Sequence, residues 1–169
     1  MVRFAGLVPA GGAVLDLACG AGRHTRLFLE RGHPVLAVDR DLSGIDDLGR
    51  HPQLETLEVD LEDGRPFPLR GRSFAGVIVT NYLHRPILTD LVSAVAPDGV
   101  LIYETFARGQ ERFGRPRNPE FLLEPGELLE AVRGRLRVLA YEDLVVEEPA
   151  PAARQRICAV NQPPAGPAT

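Results

Sequence analysis

Apolar positions along this chain form short runs that alternate with segments of helical spacing. Residues 13–18 are a small apolar run bounded by glycines, the pattern of a buried strand. Residues 23–31 place Leu27, Phe28 and Leu29 ahead of Gly32, which predicts a helix stopped by glycine. A second strand is expected at 34–38, then a short helix at 41–50 opened by an acidic or serine cap. Strands follow at 54–59 and at 74–80, the latter rich in β-branched residues. Pro86 opens a helix over 86–96, Pro97-Asp98-Gly99 makes a turn, and 100–104 is a fifth strand. A helix at 125–132 precedes strands at 136–146 and 154–160. The Pro-rich residues 161–169 read as a frayed tail after a single domain spanning 1–160.

Seven strands interleaved with helices predict an α/β fold: a Rossmann-like, mostly parallel seven-stranded sheet with helices on both faces. The last two strands are joined only by residues 147–153. That loop is too short for a parallel crossover, so the last strand is expected to be antiparallel.

Composition narrows the chemistry. The 169 residues suit one domain, and a net charge of −4 without a long basic run argues against a nucleic-acid surface. All 19 side-chain cations besides histidine are Arg; the absence of Lys excludes a Schiff-base lysine, a Walker-type phosphate lysine and an amine nucleophile. Cys19 and Cys158 stand far apart in apolar surroundings, which is no disulfide framework and suits a reducing cytosol. No apolar stretch reaches the roughly 18 residues of a membrane span, and the amino terminus lacks the signature of a signal peptide, so a cytoplasmic location is expected. No His/Cys/Asp spacing resembles a metal site.

The densest chemical signal is residues 14–23, where a strand carrying Asp16 runs into a loop of small residues before a helix. Such a loop lets backbone approach a ligand closely. Asp39 closes the second strand, where a carboxylate can accept both hydroxyls of a ribose, and Asp60 closes the third, within reach of a base. Each acid taken alone is equally a cap or a solvated turn residue; at these spacings together they favour a nucleoside site. Two nucleoside classes compete. An NAD-linked Rossmann oxidoreductase wants Gly-x-Gly-x-x-Gly, but Thr25 stands where the third glycine belongs, Asp16 has no role there, and such a domain does not normally end on an antiparallel strand. A non-catalytic nucleoside-binding domain is the third reading.

Leu15-Asp16-Leu17-Ala18-Cys19-Gly20-Ala21-Gly22 resembles the first motif of class I S-adenosylmethionine-dependent methyltransferases, an acid followed by a Gly-x-Gly loop. Val35-Leu36-Ala37-Val38-Asp39 resembles their ribose-binding strand, Leu57-Glu58-Val59-Asp60-Leu61 their adenine-contacting turn, and Pro97-Asp98-Gly99-Val100-Leu101 the turn and strand after the active site. Ala18 departs from the pattern, since many members carry glycine there. Residues 20–24 and 121–129 are similar to small tellurite-resistance and thiopurine-type methyltransferases. In that family a helix usually precedes the first strand, for which residues 1–12 are available. The resemblance implies S-adenosylmethionine as cofactor and S-adenosylhomocysteine as product, held by Asp16, Ala18, Gly20, Gly22, Asp39, Asp60, Leu61 and Asn81.

Methyl transfer from a sulfonium is an in-line displacement that chiefly needs alignment and exclusion of water. Where a base is required, the loop after the fourth strand offers Tyr82 and His84, with a surface role the alternative for His84. Asn81-Tyr82-Leu83-His84 lacks the prolines of enzymes that methylate exocyclic amines of nucleic-acid bases, so a small-molecule acceptor is expected, with neither nucleic acid nor membrane as partner. Residues 105–124 form a long, Arg-rich connection that reads as a functional loop or lid. Arg forks bind oxyanions bidentately, so Arg115 and Arg117, with His24 and Arg85, are candidates to hold an anionic acceptor; a solvated arginine loop is the alternative.

Overall fold

A computed structural model describes residues 2–162 of the protein. Its frame is a seven-stranded sheet of β1 (Val14–Leu17), β2 (Val35–Asp39), β3 (Leu54–Glu58), β4 (Phe74–Thr80), β5 (Val95–Phe106), β6 (Arg137–Val146) and β7 (Ala152–Val160). Their order across the sheet is β3-β2-β1-β4-β5-β7-β6. The first five strands pair in parallel, and β7 runs antiparallel to both β5 and β6. The expected architecture is thus observed.

Every residue of β1 is buried, as befits a strand flanked on both edges and both faces. Its alternation divides the core. Leu15 and Leu17 face the layer formed by α2 (Leu88–Ser93) and α3 (Glu127–Val132), through Leu91 and Leu128. Val14 faces the other layer, where α1 (Arg23–Glu30) contributes Phe28 and Leu29 and the amino-terminal 3-10 turn Val2–Leu7 contributes Ala5. That turn occupies the place where a preceding helix was expected. α1 ends as predicted: Gly32 takes φ of 80°, and its N–H reaches the Leu29 carbonyl at 2.9 Å.

Three local expectations are corrected. Residues 41–50 form no α-helix; Ser43–Leu48 is a kinked 3-10 segment pressed against the glycine loop. The helix expected over 86–96 stops at Ser93, after a 3-10 turn at Arg85–Ile87, because the Ala94 carbonyl accepts the Phe74 N–H at 2.8 Å and Val95 already pairs with β4. The turn 97–99 is therefore a bulge inside β5. Finally, Asn161 is not frayed: its side-chain amide donates to the Val95 carbonyl at 2.8 Å and its N–H to the Gly99 carbonyl at 2.9 Å. Residues 163–169 of the expected tail lie outside the described residues.

Candidate functional site

The carboxyl ends of β1, β2 and β4 open onto one cavity of about 690 Å³. Its floor is the loop after β1. Ala18, Gly20 and Gly22 all adopt positive φ (53°, 52° and 69°), folding the chain into a tight cradle. A Cβ at Gly20 would project into open space, whereas one at Gly22 would meet Ile45 at 2.2 Å. Gly44 completes the fit from the other side, since a Cβ there would lie 2.7 Å from the Gly20 carbonyl. Asp39 braces the loop at the cavity wall: its Oδ2 accepts the Gly20 N–H at 2.8 Å and its Oδ1 the Asp41 N–H at 3.2 Å.

Of the residues anticipated for the cofactor, Ala18, Gly20, Asp39, Asp60, Leu61 and Asn81 line this cavity, together with Tyr82 and His24. Asp16 does not. Strand alternation turns its side chain under the loop, where it is buried and accepts the Thr25 hydroxyl of α1 at 2.6 Å. Burial pushes its pKa up to about 6. Gly22 likewise sits beneath the loop, at the start of α1, and does not line the cavity.

The loop after β4 is rigidly held. Asn81 takes φ of 57°, its N–H donates to the Glu104 carbonyl at 2.9 Å, and its side-chain oxygen accepts from Arg154 at 2.7 Å. Tyr103, buried in the core, donates its hydroxyl to the Tyr82 carbonyl at 2.8 Å. Burial, with Glu62, Asp60 and Asp39 nearby, raises the Tyr82 phenol above its ordinary pKa, so it stays protonated at neutral pH. His84 does not line the cavity and stands at the N-cap of the next 3-10 turn.

His24 is buried, with Nδ1 3.4 Å from the Thr80 hydroxyl. Burial and the neighbouring Arg23 push its pKa down to about 4, leaving a neutral imidazole. His24 and Arg23 also line a second cavity of about 650 Å³ on the α1 face of the sheet, floored by Ile102, Ile157 and Cys158. The two cavities therefore share the first turn of α1. Arg23 is exposed there and forms no ion pair among the described residues.

The expected acceptor arginines lie elsewhere. Arg115 and Arg117 are exposed and line neither cavity. Arg85 is consumed internally, by Glu127 and two backbone carbonyls. Of the expected loop or lid at 105–124, Thr105 and Phe106 belong to β5 and the rest is tied to the fold: buried Gln110 accepts the Ala153 N–H and donates to the Arg115 carbonyl, and buried Gln155 donates to the Glu124 carbonyl at 2.6 Å. Thr25, Arg23 and Phe121 were not anticipated. Thr25 carries a signal, a hydroxyl in the first turn of the helix that follows the strand acid, nine residues after Asp16; Phe121 opens the 121–129 segment of the family resemblance, but nothing in it points to the cavity.

The sequence profile of a methyltransferase domain matches residues 14–99, just over half of the chain. The chain belongs to that family. It is 30% identical over 102 residues to malonyl-(acyl-carrier protein) O-methyltransferase of Salmonella typhimurium; the match covers 57% of this chain but only 40% of that relative. TehB from Haemophilus influenzae superposes with a TM-score of 0.76 at 18% identity, over 95% of this chain and 60% of TehB. The 1,6-didemethyltoxoflavin-N1-methyltransferase of Burkholderia thailandensis, solved with its namesake ligand and S-adenosylhomocysteine, superposes at 0.65 with 20% identity, over 96% of this chain and 80% of that one. Family and fold together make this a class I S-adenosylmethionine-dependent methyltransferase domain. Among the described residues no three His, Cys, Asp or Glu side chains converge as metal ligands, and no helix is long and apolar enough to cross a membrane.

Proposed function

We propose that this domain is a cytoplasmic enzyme that transfers the methyl group of S-adenosylmethionine to a small, anionic molecule. The observation that carries the reading is the cradle at Ala18–Ala21 walled by Asp39 and Asp60. Gly20 presents open space where any side chain would intrude, which fits a ligand lying against the backbone. In this reading Asp39 holds the ribose hydroxyls, Asp60 and Leu61 face the base, and Ala18 and Gly20 lie along the amino-acid end. The cofactor supplies an activated methyl on a sulfonium. The chain's own contribution is alignment and exclusion of water, from an Asn81 fixed by Arg154 and a Tyr82 fixed through Tyr103.

The acceptor enters through the cavity on the α1 face, whose junction with the cofactor cavity is lined by Arg23 and His24. Arg23, which forms no ion pair among the described residues, is suited to an oxyanion or carboxylate. His24, neutral above about pH 4, can accept a hydrogen bond or a proton there. The free thiols of Cys19 and Cys158 accord with a reducing compartment.

Parallel calorimetric titrations with S-adenosylhomocysteine and NAD test the cofactor. Binding of the first and not the second is expected; the reverse would point to the oxidoreductase. A methylation screen over carboxylates, thiols and metalloid oxyanions follows. Arg23→Gln should raise the acceptor KM, while Arg115→Gln and Arg117→Gln leave it unchanged. Binding without turnover on any acceptor would favour a nucleoside-binding domain instead.

A further inference from the structure

Phe121 is a large apolar side chain left 44% exposed, between Glu120 and a fully buried Leu122-Leu123 pair. It sits on the wall of the cofactor cavity, across the chain from the β1 loop and in company with Leu61 and Tyr82. Its backbone is unusually well fixed. The guanidinium of Arg85 donates to the Glu120 carbonyl at 2.6 Å and to the Leu122 carbonyl at 2.8 Å, the carbonyls of the two residues that flank Phe121. The same guanidinium is oriented by both carboxylate oxygens of Glu127, at 2.7 and 2.9 Å. Glu127 in turn accepts the Glu124 N–H at 2.8 Å, and Asn118 caps the short turn Pro119–Phe121 by accepting the Glu120 N–H at 3.1 Å.

Folding alone does not account for this arrangement. Leu122 and Leu123 already anchor the segment in the core, yet Phe121 beside them keeps 44% of its surface open to the cavity side and solvent. Two charge-assisted bonds from one arginine, itself held by two more from Glu127, nevertheless fix the backbone on both sides of that ring. A rigid, solvent-facing aromatic at a cavity wall matches the chemistry of a contact completed by a bound planar or apolar group.

We infer that Phe121 caps the cofactor bound in the cavity and that Arg85, 35 or more residues away in sequence, is the positioning residue that sets it there. The inference rests on the proposed cofactor site. It also assigns the segment after β5 a part in cofactor retention, in place of the acceptor grip expected of its arginines.

The test uses S-adenosylhomocysteine as probe and calorimetric affinity as readout, with the thermal midpoint recorded for each variant. Phe121→Ala should weaken binding about tenfold while the protein stays folded with at most a small drop in midpoint, as expected for loss of an aromatic stacked on a base, and Phe121→Tyr should restore it. Arg85→Gln should weaken binding in the wild-type background and have no further effect in Phe121→Ala, because it acts through that ring. Glu127→Gln loosens the same clamp and should show the same pattern if Arg85→Gln folds poorly. Wild-type affinity in Phe121→Ala overturns the inference, as does an equal Arg85→Gln effect in both backgrounds. Failure of the wild-type protein itself to bind S-adenosylhomocysteine would overturn the cofactor reading, and this inference with it.

Discussion

The hydroxyl of Thr25 donates to the buried carboxyl of Asp16 at 2.6 Å, stitching the first turn of α1 to the middle of β1. The bond offsets only part of the cost of burying the acid, whose pKa is pushed up to about 6. The unfolded carboxyl titrates near 3.8, so between these values the folded chain holds a proton the unfolded chain has released. This contribution to stability is fully present below pH 3.8 and lost as pH rises through about 6. Asp16→Asn keeps an oxygen for Thr25 and removes the charge. Its stability relative to wild type should therefore climb between pH 4 and 7 by up to about 3 kcal/mol. Urea unfolding of both proteins across that range measures the difference; a constant difference would show that Asp16 is ionised freely.

Asp39 is expected to matter for binding far more than for folding. Its side chain is only half-buried, and the Gly20 N–H it holds can turn to water. Asp39→Ala should weaken S-adenosylhomocysteine at least tenfold, in line with loss of about 1.5–3 kcal/mol of charge-assisted hydrogen bonding. Calorimetry with the thermal midpoint alongside decides it, and unchanged affinity would retire the ribose role.

Two glycines one residue apart should fail differently. In Gly20→Ala the new methyl enters the open cavity, so affinity falls while the core is undisturbed. In Gly22→Ala the methyl lies 2.2 Å from the Ile45 side chain and 2.9 Å from Arg26, so the packing of α1 against Ser43–Leu48 is broken. The second variant should lose several degrees of thermal midpoint and the first little beyond its backbone strain. Equal midpoints would mean the loop repacks freely.

Ala18 holds a left-handed backbone with φ of 53° that favours glycine. Ala18→Gly should relieve strain worth about 1 kcal/mol and raise the melting temperature by roughly 2–4 °C, without loss of cofactor affinity. A lowered melting temperature would show that the Ala18 methyl packs usefully.

Much of this was legible from local pattern. The apolar runs around Val14, Val35 and Phe74 locate the central strands, and acids at the carboxyl ends of β2 and β3 locate Asp39 and Asp60 in the cavity. Asp16 was misassigned although period-two alternation with Leu15 and Leu17 turns it toward α1. Where structure depends on distant partners, the pattern was silent. The fate of Arg85 is decided by carbonyls at 120 and 122, and its charge suggested a ligand instead. The Ser43–Leu48 segment has helical spacing, but Gly44 keeps it flush with the Gly20 carbonyl and the helix does not develop.

β7, which follows β6 in the chain, lies between β5 and β6 in the sheet. Until residues 152–160 are synthesised, β6 has no neighbour, and the pairs of Arg154 and Arg156 with Glu104 cannot form. The loop after β4 then also lacks the arginine that fixes Asn81. A chain halted before β7 carries the cradle of β1 beside an Asn81 that has lost its tether, so the setting of that cavity wall depends on a strand more than seventy residues further along the chain.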